Sequence, residues 1–458
     1  MAEQQTLALE DLESLVIKGD RQRLRMVLNE QHPADLAEWL ADMDESPRLS
    51  CFRLLDLDNA SAVLAELEPD RQRDLLKDLG DLGVVPIIAR MSPNDAVDLL
   101  AELPQEKARS IMSQMTDLEA VEDLEELMAF KEDSAGGIMS TDYLALNAKM
   151  TVEEALSHLR ETYEDFEEDI YDVYVVDEDE HLAGGVTLRE LLTADPEALV
   201  ESMMHSNIIR MPTDIDQEEA AEKLSRYDLL SLPVVDAEGR LRGIITADDA
   251  FDVFEEEATE DIYQSSGIDI TGAEPGETLN YNLPLSVRAR LPWLVVTLLI
   301  ECISATVITR FDEVIRQTIA AASFMPLLSG VTGSVATQST CIIIRGASTG
   351  HINWRAARRN LWHEMKVGML LGAACGIIIS LISLVMHQDN HILGGVVGLS
   401  LFITMTVGVL IGTAMPMFFQ RMGIDPAHAS GPFITSILDV STVTIYLTIV
   451  HSLLSELT

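Results

Sequence analysis

After Leu291 the sequence holds five apolar segments, roughly 291–309, 319–344, 365–386, 392–419 and 431–453. Each is long enough to cross about 30 Å of hydrocarbon. Continuous apolar runs of this length read as membrane-spanning helices. The basic residues then set the orientation. Arg288 and Arg290 precede the first segment; Arg345, Arg355, Arg358, Arg359 and Lys366 lie between the second and third; Arg421 lies between the fourth and fifth. After the first segment, Arg310 and Arg316 are offset by Asp312 and Glu313, and the loop after the third has no Lys or Arg. This bias predicts an N-terminus inside and a C-terminus outside. The start, MAEQQTLALEDLESLVIKGD, has neither a basic n-region nor an apolar h-region, so no signal peptide is expected and the N-terminal part should stay in the cytosol.

The net charge of -45 is placed unevenly. Ten of the 31 basic and eight of the 76 acidic residues follow Ser286, which leaves 68 acids against 21 bases before it. A surface like that repels nucleic acid and attracts cations, although most of these acids need only be solvated. Four cysteines, at 51, 302, 341 and 375, form no CxxC and no zinc spacing, so no disulfide framework is expected. The chain has no P-loop, nucleophile elbow or metal-hydrolase spacing, which argues against an enzyme.

Residues 1 to about 130 read as short amphipathic helices. HPADLAEWLADM, ASAVLAELEPDRQRDLLKDLG and SPNDAVDLLAELPQEKARSIMSQM carry apolar residues at i, i+3, i+4. Ser92-Pro93 is one of their start signals. From about 137 to 260 strand and helix patterns alternate, with a repeat. VVDEDEHLAGGVTLRELL begins at Val175 and VVDAEGRLRGIITADDAF at Val234, 59 residues on. Asp177 matches Asp236, Leu182 matches Leu241, Gly184 matches Gly243, Thr187 matches Thr246 and Glu190 matches Asp249. Each Thr-x-x-acid reads as a helix capping box, with a ligand cleft between the units as the functional alternative. A linker follows, first acidic and helical, then rich in Gly, Pro and Thr.

Two features of the membrane part point to chemistry. FMPLLSGVTGSVATQSTCIIIRG (324–346) gathers Gly330, Gly333, Ser334, Ala336, Thr337, Gln338, Ser339 and Thr340. Small residues permit close helix packing; the same set also suits a pore wall where hydroxyls and carbonyls meet a hydrated ion. Asp439 stands well inside GPFITSILDVSTVTIYLTIV, at a cost of about 2.5 to 3.5 kcal/mol for a helix centre. It favours the pore reading, since intramembrane carboxylates line bundle interiors and ion paths. Only oxygen donors are on offer, which suits hard cations such as Mg²⁺, Ca²⁺ or Mn²⁺. Mg²⁺ in particular is held through its waters by one or two carboxylates, and a symmetric dimer would supply two.

From end to end the chain resembles the MgtE-type magnesium channels. The resemblance rests on HPADLAEWL (32–40), EDSAGGIMSTDY (132–143), the paired CBS-like repeats, ADDAFDVFEEEATED (247–261), RLPWL (290–294), QSTCIIIRG (338–346), HEMKVGMLLG (363–372) and DPAHASGPFITSILD (425–439). It implies a multidomain fold: a superhelical α-helical N domain over 1–130, an α/β CBS pair over 131–200 and 201–257, a plug helix over 258–285, and an all-α domain of five transmembrane helices over 286–458. It implies a homodimer in the inner membrane, surrounded by lipid. It also implies a pore aspartate at Asp439, with Gly333, Thr337 and Thr435 as further pore contacts. Cytosolic Mg²⁺ would close the channel at Asp95, Glu218, Asp228, Asp249 and Asp252 and, on the plug, at Glu257, Glu260 and Asp261. ATP at the CBS pair is left open; the residues around Thr187, Arg189, Thr246 and Asp249 allow it.

Some residues depart from the family. The second membrane helix reads Gly333-Ser334-Val335-Ala336-Thr337-Gln338, without the usual Asn, and Ser441 replaces a frequent Gly. Asn94 stands at an acidic position of the N domain. Glu301 lies within the first membrane helix, where the family is usually neutral; a second ion contact, a partner for an Arg and a place beside a water-filled crevice are all open to it. The expected function is a Mg²⁺ channel gated by cytosolic Mg²⁺. The alternatives are a proton- or Na⁺-coupled divalent-cation carrier and a membrane-anchored CBS nucleotide sensor.

Overall fold

The computed structural model describes residues 15–16, 21–101, 103–162, 172–268, 283–317, 319–348, 352, 357–386, 391–429 and 431–453. The chain divides into two compact units, Met1–Glu255 and Glu256–Thr458.

The first unit opens with helices α1 (Arg21–Leu28), α2 (Pro33–Asp42), α3 (Glu45–Phe52), α4 (Leu57–Ala65), α5 (Pro69–Leu79), α6 (Asp81–Ile88), α7 (Pro93–Ala101), α8 (Gln105–Met112) and α9 (Leu118–Leu127). Their starts are set locally. His32 Nδ1 accepts the amide of Ala34, Asp56 Oδ1 accepts that of Asn59, and Ser92 Oγ accepts that of Asp95. Each such cap is worth about 1 kcal/mol. Helices this short bury little alone, so they stack, and Leu36, Leu40, Leu64, Leu76, Leu99 and Leu100 become fully buried.

Next come β1 (Ala145–Asn147), α10 (Val152–Thr162), β2 (Asp172–Val176), β3 (Leu182–Thr187) and α11 (Leu188–Thr193). The pattern recurs as β4 (Met211–Pro212), α12 (Gln217–Arg226), β5 (Ser231–Val235), β6 (Leu241–Thr246) and α13 (Ala247–Ser265). The sheets have orders β1-β2-β3 and β4-β5-β6, each with a parallel first pair and an antiparallel second pair. The sequence repeat is also a repeat of register. Val175 pairs Gly184 and Val234 pairs Gly243, and each ladder shifts at the next residue, Val176 or Val235. The matched glycines share one cause. A Cβ on Gly184 would lie 2.6 Å from the His205 carbonyl oxygen, and one on Gly243 would lie 2.6 Å from that of Ser140. The repeats meet through Tyr174, Leu182, Val235, Leu241 and Ile244, and the Tyr174 and Ser231 hydroxyls hydrogen-bond across the junction.

The first repeat has its own core around Leu146, Val173, Val175 and Leu191. The second shares one continuous core with the helical array: Ala220, Leu232, Val234, Ile245, Ala250 and Val253 belong with Leu99, Leu100 and Leu127. The array is therefore docked on the second repeat. The helix expected from 258 onward continues α13, which starts at Ala247 because Thr246 caps it; the rest of that linker, 269–282, lies outside the described residues.

The second unit contains α14 (Leu283–Arg310), α15 (Asp312–Gln317), α16 (Ile319–Ala322), α17 (Met325–Ser348), α18 (Ala357–Met386), α19 (His391–Met422) and α20 (Gly431–Ser452). Five helices are long and apolar enough to cross a membrane. Their ends run past the apolar windows, as at Leu283 and Ser348, because a helix does not stop where the hydrocarbon does. The second expected segment is broken at Ser323–Phe324, and Pro326 sits in the first turn of α17, where a missing N–H is tolerated. Tyr446 is fully buried, and its hydroxyl donates to the Ala321 carbonyl at 2.7 Å. Helices α18 and α19 touch backbone to backbone. A Cβ on Gly376 would lie 2.7 Å from the Gly398 carbonyl oxygen, and Ser380 Oγ donates to the carbonyls of Gly376 and Gly394, both at 2.8 Å.

Candidate ion path and gating acids

The polar stretch of α17 resolves into two faces, one buried against other helices and one exposed. Thr332, Ala336, Ser339 and Thr340 are buried. Thr332 donates to Thr404 at 3.1 Å, Thr340 to the Gly412 carbonyl at 3.0 Å and Ser339 to Glu364 at 3.0 Å, so this face packs helices. Gly330, Ser334, Gln338 and Cys341 are exposed at helical spacing. A polar face of that kind is costly against lipid and suits water or a second protein surface.

Between these faces lie Gly333 and Thr337, directed at α20. A Cβ on Gly333 would lie 3.3 Å from Thr435 Cγ2, and one on Gly431 would lie 3.8 Å from Thr337 Cγ2. These two contacts fix an antiparallel register. Extended by one turn, it sets Asp439 level with Ser329 and Gly330. Asp439 is half-buried. The structure thus brings together the four expected pore residues, Gly333, Thr337, Thr435 and Asp439, along one helix pair. Their hydroxyls are turned onto their own helices: Thr337 donates to the Gly333 carbonyl at 3.0 Å and Thr435 to the Pro432 carbonyl at 3.0 Å.

Glu301 of α14 is the residue that sequence reasoning could not assign. Its carboxyl and that of Asp439 lie within interaction distance of each other.

The end of α13 reaches the start of α20. Gly267, at φ +76°, closes α13 in a left-handed turn, and a Cβ there would lie 3.2 Å from Pro432 Cγ. Glycine is needed for both reasons. Glu257, Glu260 and Asp261 stand at i, i+3, i+4 and so share a face of α13; Glu260 accepts from the Gln264 side-chain amide.

A second acidic group lies within the first unit, where α7 meets α13. Asp249 closes the expected capping box: one carboxylate oxygen accepts the Thr246 amide at 3.0 Å and its hydroxyl. Thr187 and Glu190 do the same in the first repeat. The other oxygen of Asp249 accepts from Asn94 Nδ2 at 2.9 Å. Burial, opposed by the Thr246 hydrogen bonds and helped by the charges of Asp248 and Asp95, pushes the Asp249 carboxyl up to about 6. Burial likewise raises Asp95, with Asp248 adding to it, and raises Asp252, with Glu66, Asp95, Asp248 and Glu255 adding to it. The sign follows from linkage. A raised carboxyl favours this docking below the ordinary carboxylate range, and for Asp249 that contribution is lost as pH rises through about 6.

Asn94 completes the picture. It is 6% exposed, and its Oδ1 has no hydrogen-bond partner. A buried amide oxygen left over beside Asp249 is a group that could serve a cation as a ligand. Glu218 and Asp228 do not join this group as a pair: the first is in the opening turn of α12 and the second lies beyond its end, at φ 52°. Of the residues expected near nucleotide, Thr187 and Thr246 serve as caps and Arg189 is exposed. Asp177, Asp179 and His181 gather in the β2–β3 turn, but Asp236 makes the same turn bonds with Arg240 in the histidine's place, so this is turn geometry.

Comparison with known proteins decides the family. A magnesium transporter MgtE of Thermus thermophilus is 36% identical over 97% of this chain and 98% of its own length. The chain belongs to the MgtE family. A Bacillus subtilis magnesium transporter MgtE is 34% identical over 96% of each chain. The MgtE family models match as well: the divalent cation transporter model over 325–449, the MgtE intracellular N domain over 31–133, and the CBS domain over 135–197 and 200–256. A crystal structure of the cytosolic domain of the Mg²⁺ channel MgtE in complex with ATP superposes with a TM-score of 0.51 at 37% identity, covering 54% of this chain and all of that one. The MgtE-family cytosolic fold and the five membrane-length helices thus occur together in one chain.

Proposed function

We propose that this MgtE-family chain is a Mg²⁺ channel that admits the ion to the cytoplasm as a homodimer in the inner membrane. The observation that carries the reading is Asp439, half-buried at the level of the exposed Gly330–Ser334 face of α17, with α17 and α20 held together at Gly333 and Thr435. A second copy set against that face would enclose a polar path with two aspartates. Hydrated Mg²⁺ suits it, since the ion parts reluctantly with its water and is held through it by carboxylates. Helix bases favour an N-terminus inside and a C-terminus outside.

Closure belongs to the cytosolic acids. Mg²⁺ at Asn94, Asp95, Asp249 and Asp252 would stabilise the docked array, and Mg²⁺ at Glu257, Glu260 and Asp261 would let α13 settle beside Pro432. The ion shifts the balance only because it binds the closed arrangement better. Glu218 and Asp228 stand as further contacts, each at its own end of α12. ATP is proposed at the CBS pair, near Thr187, Arg189 and Thr246; a related cytosolic domain was solved in complex with ATP.

The full-length chain reconstituted in liposomes tests this, with entry of Mg²⁺, Mn²⁺, Co²⁺ and Ca²⁺ followed by indicator dyes. Mg²⁺ entry that follows its own gradient and ceases as internal Mg²⁺ rises is expected. Entry that instead tracks a proton or Na⁺ gradient would replace the channel by a coupled carrier.

Ion choice gives a sharper test. Ser334 is exposed and donates to the Gly330 carbonyl at 2.8 Å, so it lies on the face assigned to the path. A hydroxyl is shorter than an asparagine amide and leaves a wider opening. Ser334→Asn should lower the Ca²⁺/Mg²⁺ flux ratio by roughly threefold, the effect of one modest hydrogen bond. An equal ratio in both proteins would mean that selectivity is set elsewhere.

A further inference from the structure

Three contacts tie α14 to α20. Trp293 and Phe433 meet edge to face with ring centroids 6.2 Å apart, Phe311, the residue after α14, and His451 meet at 6.3 Å, and between them the Glu301 carboxyl lies within interaction distance of that of Asp439. Phe311 follows Trp293 by eighteen residues, and His451 follows Phe433 by eighteen. The two helices are therefore parallel and in register over about 27 Å. Glu301 and Asp439 lie near the middle of that ladder.

A second acid at this depth needs a reason. Ionisable groups inside a membrane are rare because burying them is costly. Among the described residues no Lys or Arg forms an ion pair with it. Its contact is another acid, and two carboxylates in a bundle repel each other. A divalent cation eases that repulsion, since it attracts both.

We infer that Glu301 is a specificity-determining residue of the ion path: its carboxyl adds a second negative oxygen group beside Asp439, so that the path between two copies carries four carboxyls rather than two. The inference rests on the assignment of Asp439 to the path. It predicts a preference for divalent over monovalent ions that a single carboxylate would not provide.

The experiment compares wild type, Glu301→Gln, Glu301→Asp and Asp439→Asn, each full-length, checked for a folded oligomer and reconstituted in liposomes. Glu301→Gln keeps the size and a hydrogen-bonding group but loses the charge. Its half-saturating Mg²⁺ concentration should rise about tenfold while maximal flux changes less than threefold, and the Mg²⁺/Na⁺ preference should fall by a similar factor. Glu301→Asp, which keeps the charge, should recover most of both. If Glu301→Gln matches wild type in half-saturation and ion preference while Asp439→Asn is inactive, Glu301 has no part in ion choice and the inference is overturned with the path intact. If Glu301→Gln and Glu301→Asp are equally impaired, the role is packing and the inference is again overturned. Normal flux through Asp439→Asn would remove the path assignment, and the inference with it.

Discussion

Asp439→Asn should abolish Mg²⁺ flux and leave a folded, membrane-inserted protein. The substitution preserves shape, so the packing of α20 against α17 at Gly333 and Thr435 has no cause to change. What it removes is the charge. A divalent ion about 5 Å from one carboxylate gains ~1.7 kcal/mol even at the dielectric of water, and roughly four times that at the effective dielectric of a partly buried site. The loss in flux should accordingly run from tenfold to beyond detection. Asp439→Ala should behave alike. Indicator-dye flux in liposomes, with size-exclusion profiles of the same preparations, reads both halves of the claim. A well-folded asparagine variant that takes up Mg²⁺ normally would show that the ion passes elsewhere.

The second large effect concerns closing. Glu257→Gln, Glu260→Gln and Asp261→Asn made together should give a channel that conducts but no longer shuts when internal Mg²⁺ is high. The three acids share a face of α13, whose end packs at Gly267 against Pro432. With their charge in place, a cation is needed before that face can be approached by other acids; without the charge, Mg²⁺ has nothing to bind there. Patch recordings with stepped internal Mg²⁺ should show the half-inhibitory concentration raised tenfold or more. Inhibition unchanged from wild type would reduce these residues to a solvated surface.

Much of this architecture is written in periodicities. The five long apolar segments, the 59-residue repeat and the i, i+3, i+4 stripes of the array are patterns of burial, and burial is what a sequence records best. The capping boxes at Thr187–Glu190 and Thr246–Asp249 were legible because a cap is local. The contacts between distant segments were not. Nothing in the spacing says that α14 lies parallel to α20 with Glu301 opposite Asp439, because an apolar helix has no period that names its neighbour. The orphan Oδ1 of Asn94 was equally hidden: the residue reads as a lost acid until its amide is seen spent on Asp249. The break at Ser323 was missed because one hydropathy run covers both α16 and α17.

The glycine seam between α18 and α19 has a mechanical meaning. Backbone that touches backbone at Gly376 and Gly398 has no side chains that can repack, so it has no second arrangement of similar energy. Helix α19 meets α17 in the same way at Gly412, where a Cβ would lie 2.5 Å from the Ala336 carbonyl oxygen. Those three helices form the stator of the membrane part. Helix α14 meets α20 differently, through rings and carboxyls on rotatable bonds, and that contact can be rearranged without parting backbone from backbone.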